Sequence, residues 1–142
     1  MTALDRQLAQ TFRAVRWPAT QGRPVCPSCF DGADLEPPTP DPCTPELSRY
    51  RCLVCHVQFS DVKGTAFKVC VPAPLAILAH LVLGEDPRRI DGLSPQDITR
   101  YWGTVERIRR SAMAVAWRRE LERATITPAR LAKQITAQRR AA

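Results

Sequence analysis

The sequence predicts a small α+β fold, with short antiparallel strands in its first half and helices in its second. Four cysteines fall into two close pairs, Cys26/Cys29 and Cys52/Cys55. Between and just after them lie a proline-dense stretch and a short alternation of apolar and polar residues, a pattern of loops and strands. Beyond residue 72, apolar residues recur at helical spacing between recognisable start and stop signals.

Leu4, Leu8, Phe12 and Val15 recur on one face of an amphipathic helix that ends near Trp17-Pro18. Residues 31–48 hold Pro37, Pro38, Pro40, Pro42 and Pro45, a density that excludes helix and central strand and predicts an extended surface loop. Ser48 to Ser60 reads as two short strands around the second cysteine pair, with Val57 and Phe59 alternating against Gln58 and Ser60. Gly64 marks a turn, and Ala66 to Val69 is the expected third strand. Pro72 and Pro74 open an apolar helix that stops at Gly84. After a charged loop, Glu85 to Gly92, Ser94-Pro95 supplies an N-cap and a first-turn proline. That helix should reach Trp102 and break at Gly103, with Thr104 capping a longer helix to Arg123. Thr127-Pro128 starts a last basic helix with Leu131 and Ile135 on one side. The expected organisation is a lead-in over 1–23, a metal-bearing unit over 24–70, helices over 71–124 and a basic helix over 125–142.

The cysteines follow C-x2-C-x22-C-x2-C. Zn²⁺ takes four soft donors at tetrahedral corners, and two residues between cysteines let one tight turn present both sulfurs. Cys26, Cys29, Cys52 and Cys55 are therefore the expected ligands of one structural zinc ion in a zinc ribbon. Four thiolates and one Zn²⁺ carry a net −2, which Arg49 and Arg51 are placed to offset. His56 follows Cys55 directly, so its side chain should point away from the metal. Cys43 and Cys70 lack a partner at this spacing and are read as bystanders, with Cys70 buried.

Of 142 residues, 44% are apolar, which suffices for a packed core in one domain or two small ones. Aromatics supply only 6%, so that core should be largely aliphatic. The formal charge is +7, unevenly spread. Residues 1–99 hold ten Lys/Arg against eleven Asp/Glu, a net −1, and residues 100–142 hold eleven against three, a net +8. An anionic partner is implied: nucleic acid first, an acidic protein or membrane surface second, with a merely solvated helix face as the plain alternative. No secretory signal is visible, and Val69 to Leu83 is shorter than the ~20 residues of a membrane span. A reducing, cytoplasmic setting is expected, where cysteines serve as ligands rather than disulfides.

Arg16-Trp17-Pro18, Val25-Cys26-Pro27-Ser28-Cys29, Tyr50-Arg51-Cys52-Leu53-Val54-Cys55, Phe59-Ser60 and Gly64-Thr65-Ala66-Phe67 together resemble the zinc-ribbon N-terminal region of a family of bacterial insertion-sequence transposases. The resemblance is close over residues 4–70 and loose over 71–123. It implies a zinc ribbon, then a helix-turn-helix; in the family a DDE-type nuclease follows. The family usually has Gly where this chain has Phe30, and the proline-rich insert and the short turn at Gly103 also depart from it. The nuclease would have to begin where the chain stops, so the implied activity is DNA binding without transposition.

Within the helices, Ile98 and Trp102 should pack inward, as should Val105, Ile108, Ala112, Val115 and Ala116 after Gly103. Arg107, Arg110, Ser111, Ala114 and Arg118 then share the opposite face. Arg100, Thr104, Arg107, Arg110, Ser111 and Arg118 are the candidate DNA contacts, the arginines meeting phosphates or guanine edges. Met113, Trp117 and Leu121 form a second apolar patch, read as core against a terminal helix, or else as a dimer contact. No metalloprotease, nucleophile-elbow or phosphate-loop motif is present, and four cysteines leave a zinc ion no open position. The expectation is a zinc-dependent DNA-binding protein, not an enzyme, without a small-molecule substrate. It would be a regulator, or the remnant or accessory of a mobile element. The alternatives are a protein-binding adaptor gripping through the ribbon and the Trp117 patch, and the DNA-binding subunit of a split transposase.

Overall fold

The start of the chain shows how local chemistry sets the first element. Thr2 caps helix α1 (Ala3–Arg16) through a reciprocal pair of bonds with Asp5, and Leu4, Leu8 and Phe12 fall on its buried face. A computed structural model describes residues 1–30, 32–68, 73–84 and 86–141, leaving aside the side chains of residues 104 and 105. Over the described residues the fold is α+β, with three short antiparallel strands and five α-helices.

Strands β1 (Thr39–Pro40), β2 (Ser48–Arg51) and β3 (Gln58–Ser60) lie in the order β1-β2-β3. Two were expected; the third is not. It comes from the proline-rich loop, where Pro40 pairs with Ser48 on the sheet's outer edge, a position that tolerates a missing N–H. The expected strand from Ala66 is absent over the described residues 66–68, and Val69 lies outside them. The segment is held in turns instead, because the Ser60 hydroxyl accepts from the N–H groups of Val62 (3.3 Å) and Lys63 (2.8 Å), and the Thr65 hydroxyl from Phe67 N–H (3.1 Å). The proline loop is also anchored. Thr44 and Leu47 are buried, and the Thr44 hydroxyl and the Cys43 carbonyl bond the backbone of Ala73.

Helix α2 (Leu75–Val82) is buried along its whole length and is the axis on which α1, α3 (Pro95–Arg110), α4 (Ala112–Arg123) and α5 (Pro128–Ala141) pack. It stops at Gly84, whose φ of +87° is left-handed; Pro72, one of its expected openers, lies outside the described residues. Phe12, Phe67 and Trp117 meet edge to face at the centre, with ring centroids 5.1–5.4 Å apart. Trp117 and Leu121 are thus core against α1, as the first of their two readings held.

The break between α3 and α4 is not where the sequence reading put it. Gly103 stays helical, and the chain turns at Ser111. Ser111 is extended, with ψ at 144°; its hydroxyl donates to the Ile108 carbonyl (2.8 Å) and accepts from Ala114 N–H (3.1 Å), so it caps α4. That one non-helical residue resets the helical phase. Ile108 is buried as expected, but Ala112 and Val115 face solvent and Ala114 is core. On α3, Tyr101 is buried and Trp102 is 48% exposed beneath the Arg88 guanidinium, the reverse of the expected inward Trp102. Two substitutions test the relocated break. Gly103→Ala should stabilise the protein by roughly 0.5–1 kcal/mol, since nothing lies within 4 Å of the added methyl and the backbone is helical. Ser111→Ala should destabilise by about 1 kcal/mol. Urea titration reading the opposite pair of signs would restore the turn to Gly103.

Candidate metal centre

The two cysteine pairs are built alike. In the first, Phe30 N–H donates to the Cys26 carbonyl (2.8 Å) and Cys29 N–H points at the Cys26 sulfur (3.3 Å). In the second, His56 N–H donates to the Cys52 carbonyl (3.0 Å) and Val54 N–H points at the Cys52 sulfur (3.4 Å). The residue that closes each loop is left-handed, Phe30 at φ 60° and His56 at φ 63°. Side chains rarely sit there, and glycine does so freely. That accounts for the glycine expected in place of Phe30. Backbone bridges Cys26–Phe30 and Leu35–Cys52 fix the loops against their surroundings.

The four sulfurs converge, all within 4.8 Å of one another, with Cys26 to Cys55 at 3.5 Å and Cys52 to Cys29 at 3.9 Å. A tetrahedral ion with metal–sulfur bonds of about 2.3 Å holds its sulfurs about 3.8 Å apart, so the cluster is positioned to bind one metal ion. Neither His56 nor Cys43 belongs to it, and Cys70 lies outside the described residues. Crowding sets the electrostatics. Backbone N–H groups of Cys55 and Val54 pull the Cys52 thiol down to about 7. Hydrogen bonding with the Cys55 side chain, then burial, pushes Cys29 up to about 12. Sulfurs this close resist ionising together unless a cation neutralises them.

Behind the cluster stands a small separate core of Trp17, Cys26, Tyr50, Cys52 and Phe59. Trp17, at the end of α1, packs edge-on to Tyr50 (5.8 Å) and Phe59 (6.5 Å), and the Arg16 guanidinium lies 4.6 Å above its ring. The anchor under that core is Asp61, fully buried and absent from the sequence reading. It pairs with Arg13 (3.1 Å) and accepts from Tyr50 hydroxyl (2.8 Å) and Ser48 N–H (2.7 Å), while Arg16 bonds its carbonyl (3.1 Å). Burial draws the Arg13 guanidinium down, but the charges and hydrogen bonds of Asp61 and Tyr50 together outweigh it and the net shift is upward. Burial, then Asp61, raises the Tyr50 phenol. The signal available in the sequence was that Asp61 is the one acid between Arg49 and Lys68.

Five of the six candidate DNA contacts have described side chains. Arg100 is exposed on α3, and the Thr104 side chain lies outside the described residues. Arg107 donates to the Lys68 carbonyl (3.1 Å). Arg110 pairs with Glu106 (3.2 Å) and Arg118 with Glu122 (3.0 Å), while the Ser111 hydroxyl is engaged as a cap. Among the described residues no helix is long and apolar enough to cross a membrane. Comparison with protein-family models, with curated proteins and with solved structures finds no match to the chain.

Proposed function

We propose that the chain is a zinc-dependent DNA-binding protein, built as a zinc ribbon joined to a helix-turn-helix-like helical unit. On this reading Zn²⁺ sits on Cys26, Cys29, Cys52 and Cys55; four thiolates suit its tetrahedral preference and leave no open position for catalysis. The observation that carries DNA binding is the cationic surplus. The three acids of residues 100–142 each meet one arginine, as Glu106–Arg110, Glu120–Arg123 and Glu122–Arg118. Arg100, Arg107, Arg119, Arg130, Lys133 and Arg140 have no acid within ion-pair distance among the described residues. Such a surplus attracts phosphate backbones. With the resemblance to insertion-sequence transposases, it favours a regulator or accessory of a mobile element, or the DNA-binding subunit of a transposase whose nuclease is a separate chain.

Titration of a labelled duplex at about 50 mM and about 200 mM salt tests this. Affinity should fall steeply with salt, as counterions released from phosphates require. No binding at the lower salt sinks the proposal. An adaptor role keeps one supporting observation: Phe30, Leu53 and Val54 at the tips of the cysteine loops are 71%, 51% and 66% exposed. It loses the Trp117 patch, which is core. Partner capture insensitive to salt would favour it.

A further inference from the structure

We infer that the phosphate-contacting surface is the groove between the strands and the 61–68 turns, lined by Arg49, Lys63 and Lys68, with Arg107 extending it onto α3. The inference rests on the DNA-binding reading and moves its main contact away from the α3–α4 arginines.

Residues 48–68 carry four cations, Arg49, Arg51, Lys63 and Lys68, and one acid, Asp61. Asp61 is fully buried, and its charge is answered by Arg13. Arg49, Lys63 and Lys68 line one open cavity of about 330 Å³, and no acid lies within ion-pair distance of them among the described residues. One carboxylate is on the groove wall, that of Asp41. It is buried, and its Oδ1 accepts from Cys43 N–H (2.9 Å) and Thr44 N–H (3.0 Å), so it is directed into its own turn. Arg107 is held beside the groove by its bond to the Lys68 carbonyl, which carries the positive track from the strands to the helices. Arg51 does not line this groove but a neighbouring one with Glu36 and Arg49, so it is left out of the track.

Two of the α3–α4 arginines are placed differently. Arg110 and Arg118 each sit against a carboxylate four residues away. Exposed pairs of this kind are weak, but the acids stay in place and repel an approaching phosphate. In the groove none of the three cations is engaged in an ion pair among the described residues, and the turns that carry two of them are fixed by the Ser60 and Thr65 hydroxyls. The cavity is open and its three cations are exposed, which suits a polyanion passing over the surface more than an enclosed free phosphate. Phe59, Val62 and Phe67 on the groove wall are buried, while Pro42 and Cys43 at its rim are partly or fully open. A nucleic-acid backbone is the occupant these features favour.

The test compares the metal-loaded parent with R49Q/K63Q/K68Q and with R110Q/R118Q, in duplex titrations at about 50 mM and about 200 mM salt. Metal content and melting midpoint serve as folding controls. The groove variant should weaken binding at least tenfold at the lower salt and flatten the salt dependence by about three phosphate contacts' worth. R110Q/R118Q should bind within about twofold of the parent. If R110Q/R118Q loses binding while the groove variant keeps it, the inference is overturned and DNA binding stands. If the parent itself does not bind, the functional reading fails as well. Competition by polyglutamate as effective as DNA at equal charge would overturn the nucleic-acid occupant. Should the triple variant misfold, K68Q alone, an exposed side chain, should still weaken binding severalfold, and parental affinity there overturns the proposal.

Discussion

Cys52→Ser is expected to yield protein that purifies without metal and has lost the fold of residues 24–60, while its helices persist. Cys52 is both an expected ligand and a fully buried member of the small core with Trp17, Cys26, Tyr50 and Phe59. Two of those five residues are expected ligands, so the apolar surface available without metal is slight. Structural zinc in small modules contributes on the order of 10–16 kcal/mol of apparent binding energy, comparable with the whole stability of an ordinary domain. The helices rest on a different and larger core, centred on α2 and the Phe12–Phe67–Trp117 contact. Hydrogen exchange should therefore show fast amides in β2 and β3 and protected amides in α2. Chelation of the parent should give the same pattern, as should acid, because the ligands are thiolates. Cys43→Ser, outside the cluster, should keep one metal per chain. Metal analysis finding full occupancy in Cys52→Ser, or loss of metal in Cys43→Ser, would show that the ligand set is wrong.

What was legible in the sequence was what short-range chemistry decides. The cysteine pairs are set by spacing within single turns, and the structure brings the four sulfurs together. Ser94-Pro95 and Thr127-Pro128 announce helix starts because a cap bonds an amide only three residues away, as the Ser94 and Thr127 hydroxyls do with the N–H groups of Asp97 and Arg130. The α3–α4 break was misplaced because neither the glycine at 103 nor the serine at 111 is a strong signal. A glycine inside a helix costs only about 1 kcal/mol, which packing overrides, and a serine suits a cap or an exposed helical position. Extending one 3.6-residue period across Ser111 then put Ala112 and Val115 inside and Ala114 outside, each in error. Asp61 was illegible for another reason. Its partner Arg13 lies 48 residues away, and local pattern cannot show which distant cation will neutralise a buried acid.

That pair defines the second large effect. Asp61→Ala should destabilise the protein by roughly 3–5 kcal/mol, because removing one member of a buried ion pair strands the others. Arg13 would lose its counter-ion, and the Tyr50 hydroxyl and Ser48 N–H would lose their acceptor. Asp61→Asn should fall between, since its carbonyl oxygen still accepts from Tyr50, whereas its amide N–H₂ meets donors at Arg13 and Ser48. The Arg13→Met change alone should cost less than Asp61→Ala, because the Arg13 side chain is 27% exposed and Asp61 keeps two neutral donors. Combining Arg13→Met with Asp61→Ala should cost less than the two single changes summed, since each removes the same contact. The damage should also be local in origin. Asp61 ties α1 to β2, so its loss loosens the Trp17–Tyr50–Phe59 packing behind the metal cluster before it reaches α2. Urea denaturation followed by metal analysis of each variant measures both parts. An Asp61→Ala protein within about 1 kcal/mol of the parent, still holding its metal, would mean that Arg13 and Tyr50 find water in place of the carboxylate and that the aromatic contacts, with the Arg16 bond to the residue-61 carbonyl and the Arg13 bond to the Ser48 hydroxyl, suffice to hold the helix to the sheet.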